Sequence, residues 1–161
     1  MSRFQKGLML AVMHLALVLT VAGKYYADRA ALPRAWARAA PFDQNLPIRG
    51  RYVRLRVEAE VRSNGTVLPG GTNQARLSAD GGKLAANLPG PGGVWVRALA
   101  GNRAALVEPI AYFIPEHVAD PSRRPAGEEL WVELSVPPIG APRPLRLGVK
   151  KDGVLRPLDL N

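Results

Sequence analysis

From Val53 to Arg62 the chain alternates without a break, with Val53, Leu55, Val57, Ala59 and Val61 on one side and Arg54, Arg56, Glu58, Glu60 and Arg62 on the other. A period of two is the repeat of an extended strand, because successive side chains leave opposite faces of the backbone. The stretch predicts a long strand with an apolar face toward a core and a charged face toward water. It directly follows a glycine, and "GRYVRLRVEAEVR" carries Arg51, Arg54, Arg56 and Arg62. The simplest expectation is a solvated face whose arginines pair across strands with Glu58, Glu60 or Glu133. Exposed pairs of that kind contribute little energy.

Other segments repeat the pattern. "RAWARA", Arg34 to Ala39, reads as a short first strand, and "PFDQNLPIRG" as a crossing whose turns are set by Pro41, Pro47 and Gly50. Ser63 to Asn73 is a turn-rich connection, and "QARLSADGGKLAANLPGPGG" supplies a short strand or hairpin. "VWVRAL" and "AALVEP" flank the turn "AGNR" as paired strands. In "ELWVELSV", Leu130, Val132, Leu134 and Val136 point inward and Trp131 and Glu133 outward. Asp152-Gly153 between apolar runs is the strongest short-range hairpin cue in the chain. With 16 Gly and 15 Pro lying between these runs as turn punctuation, six to eight short strands are expected.

Ahead of the strands, "GLMLAVMHLALVLTVAG" from Gly7 to Gly23 has no formal charge and is bounded by Arg3, Lys6 and Lys24. As a helix it would extend roughly 26 Å, close to the ~30 Å hydrocarbon core of a bilayer. A cleavable signal peptide is the rival reading, since Ala22 and Gly23 are small enough for a cleavage site. The run is long for a signal-peptide core, and Tyr25 and Tyr26 stand where interfacial aromatics anchor a spanning helix, so an uncleaved anchor is expected. His14 is expected to find a polar contact within or beside this helix. The cations after the span, Lys24, Arg29, Arg34 and Arg38, outnumber Arg3 and Lys6 before it, and a literal positive-inside count would keep the following domain in the cytoplasm.

The expected fold is therefore mainly β: a single N-terminal transmembrane helix followed by a small antiparallel β-sandwich or barrel-like domain. Residues 1–27 form the anchor, 28–50 a membrane-proximal linker and first strand, and 51–161 the β-rich soluble domain.

The net charge of +9 comes from 17 Arg and 5 Lys against 13 acidic residues. The arginines are dispersed and interleaved with carboxylates, with no basic block, zinc spacing or aromatic RNA-reading pattern, so no nucleic-acid partner is expected. Anionic lipid headgroups are a better destination for the charge. With no cysteine, thiolate metal sites and cysteine nucleophiles are excluded. His117 beside Glu116 cannot by itself complete a metal site, which takes three or four protein ligands. Glu128 and Glu129 are adjacent on a strand and point to opposite faces. No catalytic residue, metal or cofactor is expected.

Two stretches resemble the signature segments of the GDYXXLXY protein family, small membrane-anchored bacterial proteins of uncharacterised function. "GRYVRLRV" keeps Gly50, Tyr52 and Leu55 at the motif spacing, with Arg51 in place of the family's Asp and Val57 in place of its last Tyr. The second, "YFIPEHVADPSRRPAGEELWVELSV", contains "FIPE" at Phe113 to Glu116 and a following strand. Together with the anchor and the order of segments, the resemblance spans nearly the whole chain. It implies an inner-membrane anchor with the domain on the periplasmic side, against the charge count, and it supplies no reaction. The Gly50 strand also resembles the Gly-Asp-x-Val strand of signal-peptidase-like proteases, but between Ser2 and Ser63 there is no serine to act as nucleophile.

Two functions follow as expectations. One is a non-catalytic accessory subunit of a larger integral membrane protein. The other is an anchored module binding a small anionic ligand or lipid headgroup, with Arg49, Gly50, Arg51, Tyr52, Leu55, Phe113, Pro115 and Glu116 as its binding residues. Arginine suits that role because its planar fork binds carboxylate or phosphate at two points.

Overall fold

A computed structural model describes residues 2–42, 52–63, 70–91, 93–115 and 118–160. It divides into two compact units, Met1–Leu32 and Pro33–Asn161.

The first unit is one helix, α1 (Arg3–Ala31). Ser2 caps it reciprocally: Gln5 N–H donates to Ser2 Oγ at 3.2 Å, and Ser2 N–H donates to Gln5 Oε1 at 2.7 Å. It stops where Pro33 disfavours helical geometry in the preceding residue, and Leu32 is extended at ψ 143° while its N–H still closes on the Asp28 carbonyl at 3.0 Å. The stretch Phe4–Asp28 is long and apolar enough to cross a membrane. Two polar side chains inside the apolar run turn back onto the helix backbone. His14 Nδ1 lies 2.8 Å from the Leu10 carbonyl, and Thr20 Oγ1 donates to the Ala16 carbonyl at 2.7 Å. The expected polar contact for His14 is thus intrahelical, and the helix ends at Ala31 rather than near residue 27.

The second unit holds ten strands among the described residues: β1 (Arg34–Pro41), β2 (Tyr52–Ser63), β3 (Thr72–Asp80), β4 (Lys83–Leu88), β5 (Val94–Leu99), β6 (Arg103–Leu106), β7 (Ile110–Phe113), β8 (Glu128–Ser135), β9 (Arg143–Lys151) and β10 (Val154–Pro157). The paired strands around "AGNR" are β5 and β6, and the Asp152-Gly153 hairpin joins β9 to β10 with φ of 49° and 80° at its two turn residues. Two positive φ angles in succession are the signature of the tight turn that matches strand twist.

The sheet is mixed, which corrects the expectation of an antiparallel domain. β4 runs parallel to β2 from Glu60↔Ala85 to Ser63↔Leu88, and parallel to β1 at Trp36↔Lys83. The length of β2 explains this. Its first half lies between β7 and β1, and its second half between β6 and β4. The β3–β4 hairpin folds back to lay β4 along that second half in the same direction. The pairings β2–β4–β3–β5–β6–β2 close a circuit, while β8, β9 and β10 extend outward from β1. β1 is consequently an interior strand of the domain, which begins at Pro33 rather than at residue 51.

The core gathers the inward positions of the alternating strands, with Leu55, Leu84, Leu134, Leu147, Val57, Val96 and Val132 among the largest fully buried side chains. Each such side chain contributes roughly 1.5–3 kcal/mol by leaving water. This single core fixes which face of β2 remains outside.

Candidate functional site

The outer face of β2 carries, in order, Tyr52, Arg54, Arg56, Glu58, Glu60 and Arg62, and it is divided into two chemically different halves. In the C-terminal half every charge has an opposite partner. Glu58 accepts from Arg103 at 3.0 Å, Glu60 from Lys83 at 2.7 Å, and Arg62 meets Asp80 at 2.6 Å. Register places these partners, since Arg103 stands opposite Glu60 on β6 and Lys83 begins β4.

The N-terminal half is different. Phe42, just beyond β1, donates its N–H to the Arg54 carbonyl at 2.8 Å, which holds its ring beside the arginines. The guanidinium carbons of Arg54 and Arg56 lie 5.2 and 5.4 Å from the Phe42 ring centroid. Among the described residues neither arginine has a carboxylate partner. The acids expected to pair with them are taken by other cations: Glu58 by Arg103, Glu60 by Lys83, and Glu133 by Arg146. That corrects the simple picture of a charge-balanced face. Stacking on an aromatic ring attracts a guanidinium and leaves its donors free to reach outward.

β7 completes this half. It pairs antiparallel with the start of β2, setting Phe113 opposite Tyr52 and Ala111 opposite Arg54. The Tyr52 and Phe113 rings meet edge to face, with centroids 6.0 Å apart and planes inclined at 60°. Tyr52 is 42% and Phe113 76% exposed. The two motif segments noticed in the sequence are therefore neighbours in space.

Of the eight expected binding residues, Tyr52 and Phe113 come together here and Pro115 is exposed two residues beyond Phe113. Leu55 does not join them: it is 0% exposed, pairs with Ile110 and belongs to the core, because it lies on the inward parity of β2. Arg49, Gly50, Arg51 and Glu116 lie outside the described residues. Arg54, Arg56 and Phe42 were not singled out by the motif. Strand parity was the signal for the arginines, whereas Phe42 sits in an aperiodic crossing and is placed only by the backbone hydrogen bond to Arg54.

A second feature lies where β1 and β2 diverge around the start of β4. A groove of about 160 Å³ is lined by Trp36, Trp131, Glu58, Glu60, Lys83 and Arg103. Its groups are mutually satisfied. Besides the two ion pairs, Arg146 stacks on Trp36 at 5.6 Å, Lys150 on Trp131 at 5.1 Å, and Trp131 Nε1 donates to Glu129 at 3.2 Å. Gly148 is required beneath Trp36, since a Cβ there would lie 2.8 Å from the Trp36 ring. The groove reads as a packed aromatic surface. Among the described residues no group of three or more His, Cys, Asp or Glu is placed to hold a metal ion.

Comparison with protein-family models, with curated proteins and with solved structures gave no match.

Proposed function

We propose that this chain is a non-catalytic accessory protein of the bacterial envelope, anchored in the inner membrane by α1 and acting by contact through the basic and aromatic face of its β domain. The observation that carries this reading is the division of β2: carboxylates neutralise one half, while Arg54 and Arg56 in the other are stacked on Phe42 and flanked by the exposed Tyr52 and Phe113. A charged, partly apolar surface whose two arginines meet no carboxylate among the described residues suits the binding of something anionic.

In this reading α1 is retained as a single-pass anchor and packs laterally beside a larger integral membrane protein, of which the chain is an accessory subunit. Support comes from its apolar length and from Thr20 and His14, which turn the Thr20 hydroxyl and His14 Nδ1 back onto the helix's own carbonyls. The resemblance to the GDYXXLXY proteins, carried by Gly50, Tyr52, Leu55 and the "FIPE" segment, supports placing the domain in the periplasm.

The test is affinity purification of C-terminally tagged protein from gently solubilised membranes, followed by mass spectrometry. A membrane protein co-eluting in comparable amount is the expected result, reduced severalfold when Phe4–Asp28 is exchanged for an unrelated spanning sequence. Recovery of the chain alone would contradict the subunit role.

A further inference from the structure

We infer that the face formed by Phe42, Tyr52, Arg54, Arg56 and Phe113 docks on the anionic headgroup surface of the bilayer. This deepens the contact reading above and rests on α1 being retained as an anchor.

Three observations select lipid as the occupant. The first is charge: Arg54 and Arg56 are exposed, stacked on a ring, and without a carboxylate among the described residues, so their charge is available to phosphates. The second is the company they keep. Phe113 is an apolar ring exposed at 76%, and it abuts Tyr52, whose phenol provides a polar tip. Aromatic rings beside guanidiniums are the combination that rests at a headgroup boundary, with rings entering the apolar margin and cations staying among phosphates. A soluble anion would use the arginines but would leave Phe113 without a purpose. The third is tethering: only Leu32 and Pro33 separate α1 from β1, so an inserted anchor keeps the domain at a high local concentration of headgroups.

The remaining surfaces carry less. In the groove at Trp36 and Trp131 the charged side chains pair with one another. The cleft beneath Val149, Val154 and Leu158 has Glu128 bridged to Lys151.

The absence of cysteine permits a direct test on the full chain. Ala111→Cys places a nitroxide label on the exposed residue opposite Arg54, and Arg156→Cys places one on β10, at the other end of the strand order. Each labelled protein is reconstituted in nanodiscs of phosphatidylcholine alone or with phosphatidylglycerol, and the accessibility of the label to oxygen and to a water-soluble nickel complex is measured. The lipid-facing fraction at position 111 is expected to rise about fivefold or more with phosphatidylglycerol, the gain anticipated from one basic residue at an anionic surface. Position 156 should remain aqueous. Arg54→Glu with Arg56→Glu should return position 111 to water, with an unchanged thermal melt showing that the domain remains folded.

An aqueous label at 111 in both lipids, with the melt intact, overturns lipid docking. If the charge reversal then still removes a co-purifying protein, the face contacts protein and the accessory reading survives. If the reversal changes neither result, contact through this face fails as well.

Discussion

At the scale of single residues, the chain uses the same outward positions for two purposes. Glu58 and Glu60 are neutralised by Arg103 and Lys83, whereas Arg54 and Arg56, on the same face, lie against Phe42. Their parity could be read from alternation alone, but their partners could not, because these come from Phe42 beyond the end of β1 and from β4 and β6, at distances in sequence that no periodicity encodes. Leu55 shows the opposite error. A motif position looked like a ligand contact, yet its inward parity already assigned it to the core. Gly148 gives a sharp test at this scale. Gly148→Ala would bring a methyl to 2.8 Å from the Trp36 ring and 3.0 Å from the Arg156 carbonyl, and overpacking of this kind should cost roughly 1–3 kcal/mol. Thermal or denaturant unfolding measures it. In the Trp36→Ala background the cost should shrink, since the clashing ring is gone.

At the scale of elements, hairpins were legible and crossovers were not. Asp152-Gly153 declares its turn locally, and the structure supplies the expected positive φ at both positions. Gly153→Val, a β-branched residue at φ 80°, should destabilise the domain by about 1–3 kcal/mol and lower its melting temperature. The parallel union of β2 with β4 has no such local mark. It arises because β2, at 12 residues, needs two partners on each flank, and the β3–β4 hairpin returns to fill one place. α1 was legible for the same reason as the hairpin, because its charge-free run is a local feature; the Ser2 cap and the Pro33 stop that set its ends emerged with the structure. Only its end, at Ala31, lies further along than the apolar run suggests.

At the scale of the whole molecule, a helix able to cross a membrane is followed after two residues by a mixed β domain. The charge of +9 looked dispersed along the chain, and folding sorts it. Many cations are consumed in ion pairs with β-domain carboxylates, and a pair at the start of β2 is left with an aromatic partner instead. That sorting is a property of the sheet register, which is why the contact face emerged only once β7 and Phe42 were set against β2. The most direct measurement is in-cell photo-crosslinking with a benzophenone amino acid at Phe113, compared with one at Trp95, an exposed aromatic on β5. The account predicts an adduct to lipid or protein at position 113 that disappears on reversing Arg54 and Arg56, with little at position 95. Equal capture at both positions, or none at 113, would contradict it.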